Sequence, residues 1–321
     1  MRQNWKRIFA IWMLAVWMAV PCICAVSAGF PTEAGKEEWM KALHDTLPMC
    51  KLSVPGTHDS GSTRGGRTLR TQTLSIAGQL QQGIRAFDIR LRKRKNKLGI
   101  FHSHAFQGIY WEEDVLPAFI AFLQAHPSET LVVSLKKEGG ASEDYASLLS
   151  SSLLIPAHQR YFVTDFHPGL TLGECRGKIL FLHRDFVMER YPGAACIGWA
   201  DNASCLLTLR GKDGVEGKVL LQDEYQYESD KEADKKIASC IRHFDKVAAE
   251  PAASRRWAIS FTSATGLPSG TPLAFANRIN QPVAAYLAKG RKRNCGIVFI
   301  DFTDLQGGKA LADYLIRCNS Y

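Results

Sequence analysis

The chain carries a series of short apolar, β-branched runs, each ending in a polar or charged residue and most followed by a helix-compatible stretch. Leu52-Ser53-Val54-Pro55 leads to His58, residues 84–89 carry Asp88 and lead to Arg90, residues 98–101 lead to His102, and residues 131–135 lead to Lys136. Later runs are 178–182 before Arg184, 219–221 before Asp223, 257–261 before Ser263 and 297–300 before Asp301. Unbroken apolar runs of this length read as strands covered on both faces, and such strands separated by helices read as a parallel barrel. The expectation is therefore an α/β fold, an irregular (βα)8 TIM-type barrel in a single domain. The irregularity is expected between Arg90 and Leu98, where the basic run RLRKRKNK is too short for a crossover helix. Functional groups in such barrels collect at the C-terminal strand ends, where these polar residues fall.

Residues 1–28 read differently. Arg2, Lys6 and Arg7 precede an apolar run from Ile8 to Val20, and Val26-Ser27-Ala28 is a small-residue cleavage pattern. That is a secretory signal peptide cut after Ala28, with residues 29–321 forming the barrel, either periplasmic or fully secreted. Its apolar run is shorter than the roughly 20 residues of a spanning helix. Losing the three leader cations lowers the formal charge from +9 to +6. A modestly basic surface suits an anionic lipid layer, and no nucleic-acid motif accompanies it. With 46% apolar residues, no low-complexity tract and no long linker, one large core is the economical arrangement.

Two of the nine cysteines lie in the leader, leaving Cys50, Cys175, Cys196, Cys205, Cys240, Cys295 and Cys318. None has zinc spacing, so no metal site and no cofactor is expected. Export permits disulfides, and Cys196 with Cys205 is a candidate pair for a short loop, with buried inert thiols the plainer alternative.

The chemistry is carried by Gly56-Thr57-His58-Asp59-Ser60, by Asp88 and Arg90 on one strand, and by His102 and His104 after another. Two histidines at one cavity serve as general base and general acid near neutrality, since an unperturbed imidazole titrates near ~6.5. Carboxylates beside them fix the tautomers, and an arginine offers a permanently charged fork for a phosphate. The set suits metal-free cleavage of a phosphodiester by an internal hydroxyl.

In order along the chain, VPGTHDSGS, QLQQGIRAFDIRL, HPSETLVVSLKKE, RGKILFLHR, LLQDEYQY, ISFTSATG and GIVFIDF resemble the bacterial phosphatidylinositol-specific phospholipases C, from Trp39 to about Asp304. The resemblance implies a phosphatidylinositol diacylglycerol-lyase acting transiently at a membrane surface that contains phosphatidylinositol, as a monomer. It implies His58 as the base that deprotonates the inositol 2-hydroxyl and Asp301 as the carboxylate that orients it. Arg90 corresponds to the phosphate-binding arginine, with Asp88 beside it. His102 corresponds to the general acid, with Asp59 as its carboxylate. Lys136, Arg184, Asp223 and Tyr225 match the inositol-pocket positions. The family usually has His-Gly at the acid position where this chain reads Phe101-His102-Ser103-His104; the spacing to Gln107-Gly108 favours His102, with His104 the alternative. Eukaryotic relatives have calcium-binding acids where this chain has Arg90 and Lys136, so the resemblance implies no calcium.

Two rival readings fit less well. A metal-dependent glycerophosphodiester phosphodiesterase would need a Glu-x-Asp pair where Phe87-Asp88-Ile89-Arg90 stands. A catalytically silent phosphoinositide-binding protein would normally have lost a histidine. Trp39, Met40, Tyr110 and Trp111 are candidates for lipid contact or for packing, and RLRKRKNK for lipid contact or a solvated turn.

Overall fold

The computed structural model describes residues 33–185, 191–291 and 294–319, so the expected leader lies outside the described residues. Eleven strands are described in chain order: β1 (Ser53–Thr57), β2 (Ala86–Arg94), β3 (Lys97–His102), β4 (Ala105–Tyr110), β5 (Leu131–Lys137), β6 (Ile179–His183), β7 (Ala194–Ile197), β8 (Ser204–Gly211), β9 (Glu216–Gln222), β10 (Trp257–Phe261) and β11 (Gly296–Ile300). They hydrogen-bond in the order β1-β11-β10-β9-β8-β7-β6-β5-β2, and β2 pairs back onto β1 at Gly56↔Ala86 and Thr57↔Phe87. Nine strands thus close a barrel, irregular as expected. All run parallel except β8, which is antiparallel to both neighbours.

Two strand expectations need correction. The run at 98–101 is not a barrel strand: β3 folds back antiparallel on the outer half of β2, from Leu91↔Ile100 to Arg94↔Lys97. Only Lys95 and Asn96 connect the two strands, with Lys95 at φ 56°, and a link that short permits only a hairpin. β4 pairs with β3, making a three-stranded flap beyond the barrel wall. β7 and β8 are two barrel strands beyond those expected, so the barrel closes with nine strands and not eight. β7 is only four residues long, and β8 alternates buried and exposed positions with Leu206 open to solvent, so neither reads as a continuous apolar run.

Strand parity explains how the site is positioned. Side chains alternate across a strand, so residues two apart share a face. Phe87, Ile89, Val133, Leu135, Val298 and Ile300 pack outward into the layer of helices. Val54, Ala86, Val132, Leu180, Leu182, Leu221, Ile297 and Phe299 form a second core inside the barrel. Continuing the inward series by two residues reaches His58 from Gly56, Arg90 from Asp88, Lys136 from Ser134, Arg184 from Leu182, Asp223 from Leu221 and Asp301 from Phe299. The sequence thus fills the lower barrel with hydrocarbon and rings its mouth with charge. Gly56 is required where β1 meets β2, because a Cβ there would lie 2.8 Å from Ala86 Cβ and 2.9 Å from a Phe299 ring carbon.

The lower end is closed by the segment from Glu33 to Ala42. Trp39 donates to Gly83 O at 2.9 Å, Met40 is fully buried, and both join the inner core. Arg85 and Glu129, each 0% exposed, pair at 2.8 Å, and Arg85 also donates to the carbonyls of Lys36 and Glu37. Trp39, Met40 and the fully buried Trp111 are therefore core residues and not lipid contacts. Burial of an aromatic ring removes more apolar area from water than a lipid contact at the rim would. The seven described cysteines are free thiols. Cys196 faces Leu209 and Cys205 faces Leu221, so strand register keeps the expected pair apart. No described helix is long and apolar enough to cross a membrane.

Candidate active site

At the barrel mouth, His58 follows β1 on a turn in which Asp59 takes φ 44°. Its Nδ1 lies 2.8 Å from Asp301 Oδ1, at the end of β11, and its Nε2 lies 2.8 Å from Arg90 NH2. A guanidinium can only donate, so Nε2 carries the lone pair and Nδ1 carries the proton given to Asp301. Phe261 meets the ring edge-on at 5.9 Å. The imidazole is thereby fixed in tautomer and orientation, with its basic nitrogen turned toward the arginine.

Arg90 is held from two sides. Its NH1 is 3.0 Å from Asp59 Oδ2 and its NH2 3.1 Å from Asp88 Oδ2, while its side chain is 13% exposed. Asp88 is fully buried and also lies 3.6 Å from Arg184 NH1. Burial works against the Asp88 carboxylate, but Arg90 and Arg184 outweigh it and hold its pKa far below the usual range. Arg90 is held fully charged: burial disfavours the cation, and Asp59 and Asp88 more than offset it. Burial, with the Arg90 charge adding to it, lowers the His58 pKa well below its ordinary value. Burial and the neighbouring Asp59 raise that of Asp301.

The sign of the His58 shift has a consequence. A depressed folded-state pKa means that the ring stays neutral as pH falls through the ordinary range near ~6.5, and protonates only well below it. In isotope-edited NMR, the His58 ring signals should stay constant down through about pH 6. A titration midpoint at or above about 6.5 would show that burial and Arg90 do not govern the ring.

His102, at the end of β3, brings Nδ1 to 3.4 Å from Asp59 Oδ2, 2.7 Å from Leu69 O and 3.2 Å from Ser62 Oγ. The Leu69 carbonyl accepts from Nδ1, so the tautomer is set by a backbone oxygen as well as by Asp59, and Nε2 is left for chemistry. His104 is exposed, contacts Ser103 Oγ at 3.3 Å, and lies outside this group.

The remaining expected residues line the same mouth. Lys136 stands opposite Arg90 across the β2–β5 ladder. Arg184 lies 3.4 Å from Asp223. Tyr225 donates to Asp201 at 3.0 Å, and its backbone is held by Asn202 Oδ1 at 2.7 Å. Burial raises the pKa of Asp223, against the pull of Arg184.

Three neighbours were not singled out from the sequence. Glu138 lies 3.7 Å from Lys136 and accepts from Ser103 N at 2.9 Å, which ties the His102 hairpin to β5. Trp199 stacks under Arg184, 3.9 Å from guanidinium carbon to ring centre, and donates to Asp223 at 2.9 Å. Asp201 fixes the Tyr225 hydroxyl. The KKE tripeptide was the only signal for Glu138; Trp199 and Asp201 sit on a loop whose position depends on β7 and β8.

Asp88 Oδ1, Ser134 Oγ, Glu138 Oε2 and Arg184 NH1 are buried without a hydrogen-bond partner. Asp88 Oδ1 and Arg184 NH1 face each other at 3.6 Å and Glu138 Oε2 faces Lys136 at 3.7 Å, beyond hydrogen-bond length, so bound hydroxyls can complete them. The arrangement can draw a proton at one point, fix an anion beside it, return a proton at a second point, and bind several hydroxyls. Among the described residues no group of three or more His, Cys, Asp or Glu side chains is placed to hold a metal ion.

Residues 46–185 match the family model described as phosphatidylinositol-specific phospholipase C, X domain. The chain is 29% identical over 288 residues to a 1-phosphatidylinositol phosphodiesterase of Listeria monocytogenes, covering 84% of this chain and 82% of that one. It is 26% identical over 287 residues to a protein of the same name from Staphylococcus aureus, covering 83% and 88%. Its fold is similar to solved structures of the phosphatidylinositol-specific phospholipases C of these two bacteria. For the Staphylococcus aureus structure the TM-score is 0.78 at 25% identity, with 90% of this chain and 100% of that one covered. For the Listeria monocytogenes structure it is 0.71 at 26% identity, with 89% and 99% covered.

Proposed function

We propose that this chain, which resembles the bacterial phosphatidylinositol-specific phospholipases C along most of its length, is an enzyme of that kind, cleaving phosphatidylinositol or its glycosylated anchors. The observation that carries the reading is the convergence of a neutral, acceptor-oriented His58 Nε2 and the Arg90 guanidinium within 2.8 Å of each other. A phosphodiester bound by Arg90 takes over that guanidinium and leaves the His58 lone pair facing the adjacent ring hydroxyl.

In the proposed reaction His58 Nε2 takes the proton of the inositol 2-hydroxyl, with Asp301 on Nδ1 stabilising the imidazolium that forms. The 2-oxygen bonds to phosphorus as the bond to the glycerol oxygen breaks. His102 protonates that leaving oxygen, releasing diacylglycerol and inositol 1,2-cyclic phosphate. The internal nucleophile supplies proximity, and Arg90 balances charge on the phosphoryl oxygens. Slow hydrolysis of the cyclic product reverses the histidine roles. Lys136, Arg184, Asp223 and Tyr225, together with Glu138, bind the inositol hydroxyls, which would satisfy the unpartnered buried atoms above. No metal is needed in this scheme because Arg90 supplies the cation. The leader, residues 1–28, would export the barrel, which acts as a monomer at the membrane surface.

Phosphorus NMR of the mature protein on phosphatidylinositol vesicles tests this. The expected first product is the cyclic phosphate, formed at the same rate in EDTA. Activity lost to chelator and restored by calcium would remove Arg90 from its role. A noncyclic first product would rule out the internal nucleophile.

A further inference from the structure

We propose that the open face of the β2–β3–β4 flap docks onto anionic phospholipid headgroups, holding the barrel mouth against the lipid surface by charge. This rests on the reading of the site as one that meets its substrate in a membrane, and adds the surface that does so.

β2 continues four residues past Arg90, and by alternation Arg92 and Arg94 share the face that carries Asp88 and Arg90. Across the ladders Arg92 faces Gly99, Arg94 faces Lys97, Gly99 faces Tyr110 and Phe101 faces Phe106. Cross-strand partners lie on one side, so these cations and rings share a single surface continuous with the catalytic arginine. The other side of the flap is packed: Leu91, Leu98 and Ile100 are in the core with Trp111 and Val115.

On that face the rings run in a row beneath the cations, from the buried Phe101 to the half-buried Phe106 at 5.5 Å and on to the half-buried Tyr110 at 5.1 Å. Each carries a cation: Arg92 lies 5.5 Å from the Phe101 centre, Arg94 4.4 Å from Phe106, and Lys97 5.7 Å from Tyr110. A guanidinium resting on a ring is held in place while its N–H groups stay free for a phosphate. Lys93 pairs with Asp144 and Lys97 with Glu113, but among the described residues Arg92, Arg94 and Lys95 make no ion pair. The neighbouring loop adds Arg64, Arg67 and Arg70, exposed and likewise without an ion pair among the described residues. That loop also supplies the Ser62 and Leu69 groups that touch His102.

So many unbalanced cations on one rim repel each other, an arrangement that suits an extended layer of anions. The exposed large hydrophobic residues, Leu154, Ile155, Leu206, Val215 and Leu267, all lie off the flap, so apolar insertion does not explain the face. A second copy of the chain would set cation against cation.

The test is sedimentation of the full mature chain with phosphatidylcholine vesicles containing phosphatidylserine and no phosphatidylinositol. Binding is expected, lost as salt rises toward about 0.5 M. It should weaken about 25-fold in Arg92→Gln/Arg94→Gln, at about fivefold per charge. Arg92→Lys/Arg94→Lys, which keeps the charge, should bind within about threefold of the parent. Lys246→Gln/Lys289→Gln, which removes two distant exposed charges, should also bind nearly as the parent. Equal weakening in this distant pair, or parental binding by the glutamine variant at matched circular dichroism, overturns the proposal. So does binding to duplex DNA without binding to the anionic vesicles. Hydrolysis of a water-soluble inositol phosphodiester is read separately: the glutamine variant should match the parent there. A parent inactive on it would count against the proposed reaction and leave the vesicle result to stand by itself.

Discussion

His58→Ala should cut cleavage of phosphatidylinositol by about 10³- to 10⁴-fold while the fold survives. The proton of a secondary hydroxyl must go somewhere as the oxygen bonds to phosphorus, and among the described residues His58 is the one imidazole hydrogen-bonded to Arg90. His58 Nε2 is 2.8 Å from that guanidinium, whereas the His102 ring is linked to it only through Asp59 Oδ2, 3.4 Å from its Nδ1. Truncation removes an edge contact with Phe261, at the upper edge of the inner core, and a hydrogen bond to Asp301 at the mouth, and it leaves the strands and the rest of both cores in place. Its cost to the fold should therefore be small beside its cost to the rate. Initial rates on phosphatidylinositol vesicles, taken with circular dichroism, are the measurement. Activity within tenfold of the parent at matched spectra would mean that another group is the base.

The positions that were legible in the sequence share a physical property: they are set by the strand on which they sit. His58, Arg90, Lys136, Arg184, Asp223 and Asp301 each continue an inward-facing series by one step of two, so a strand located from its apolar run also locates the charge at its end. Seven of the eight runs read as barrel strands are such strands, and the exception at 98–101 fails for a reason visible in the chain. A two-residue link cannot carry a parallel crossover, and it sends β3 back along β2. What was not legible depends on tertiary placement. Trp199 and Asp201 are delivered by the loop between β7 and β8, one strand short and the other half-exposed, so neither announces itself by periodicity. The Leu69 carbonyl that holds His102 has no side-chain signature at all. Glu138 follows two lysines and reads as a solvated strand end until Lys136 and the His102 hairpin close around it.

The identity of the general acid can be decided by changing the leaving group. A departing glycerol alkoxide is a poor leaving group, and a proton delivered to it offsets charge that would otherwise build on oxygen. An acidic phenol departs without that help. Replacing the true acid should therefore slow release of diacylglycerol by about 10²- to 10⁴-fold and barely slow release of the phenol, whereas replacing the base should slow both alike. Geometry favours His102. Its Nδ1 sits 2.7 Å from Leu69 O and 3.4 Å from Asp59, on the same carboxyl oxygen that meets Arg90 at 3.0 Å. That common oxygen couples the acid to the phosphate-binding group, and it leaves His102 Nε2 as the proton donor. His104, two residues on, is exposed, and its one hydrogen bond among the described residues is to its neighbour Ser103. The ratio of rates on phosphatidylinositol and on an inositol phosphodiester of a phenol should thus collapse for His102→Ala and stay at the parental value for His104→Ala. Selective rescue in His104→Ala, with His102→Ala near parental on both substrates, would move the acid by two residues. It would also make the Leu69 and Asp59 contacts a matter of loop structure alone, leaving the His58 and Arg90 half of the reaction unchanged.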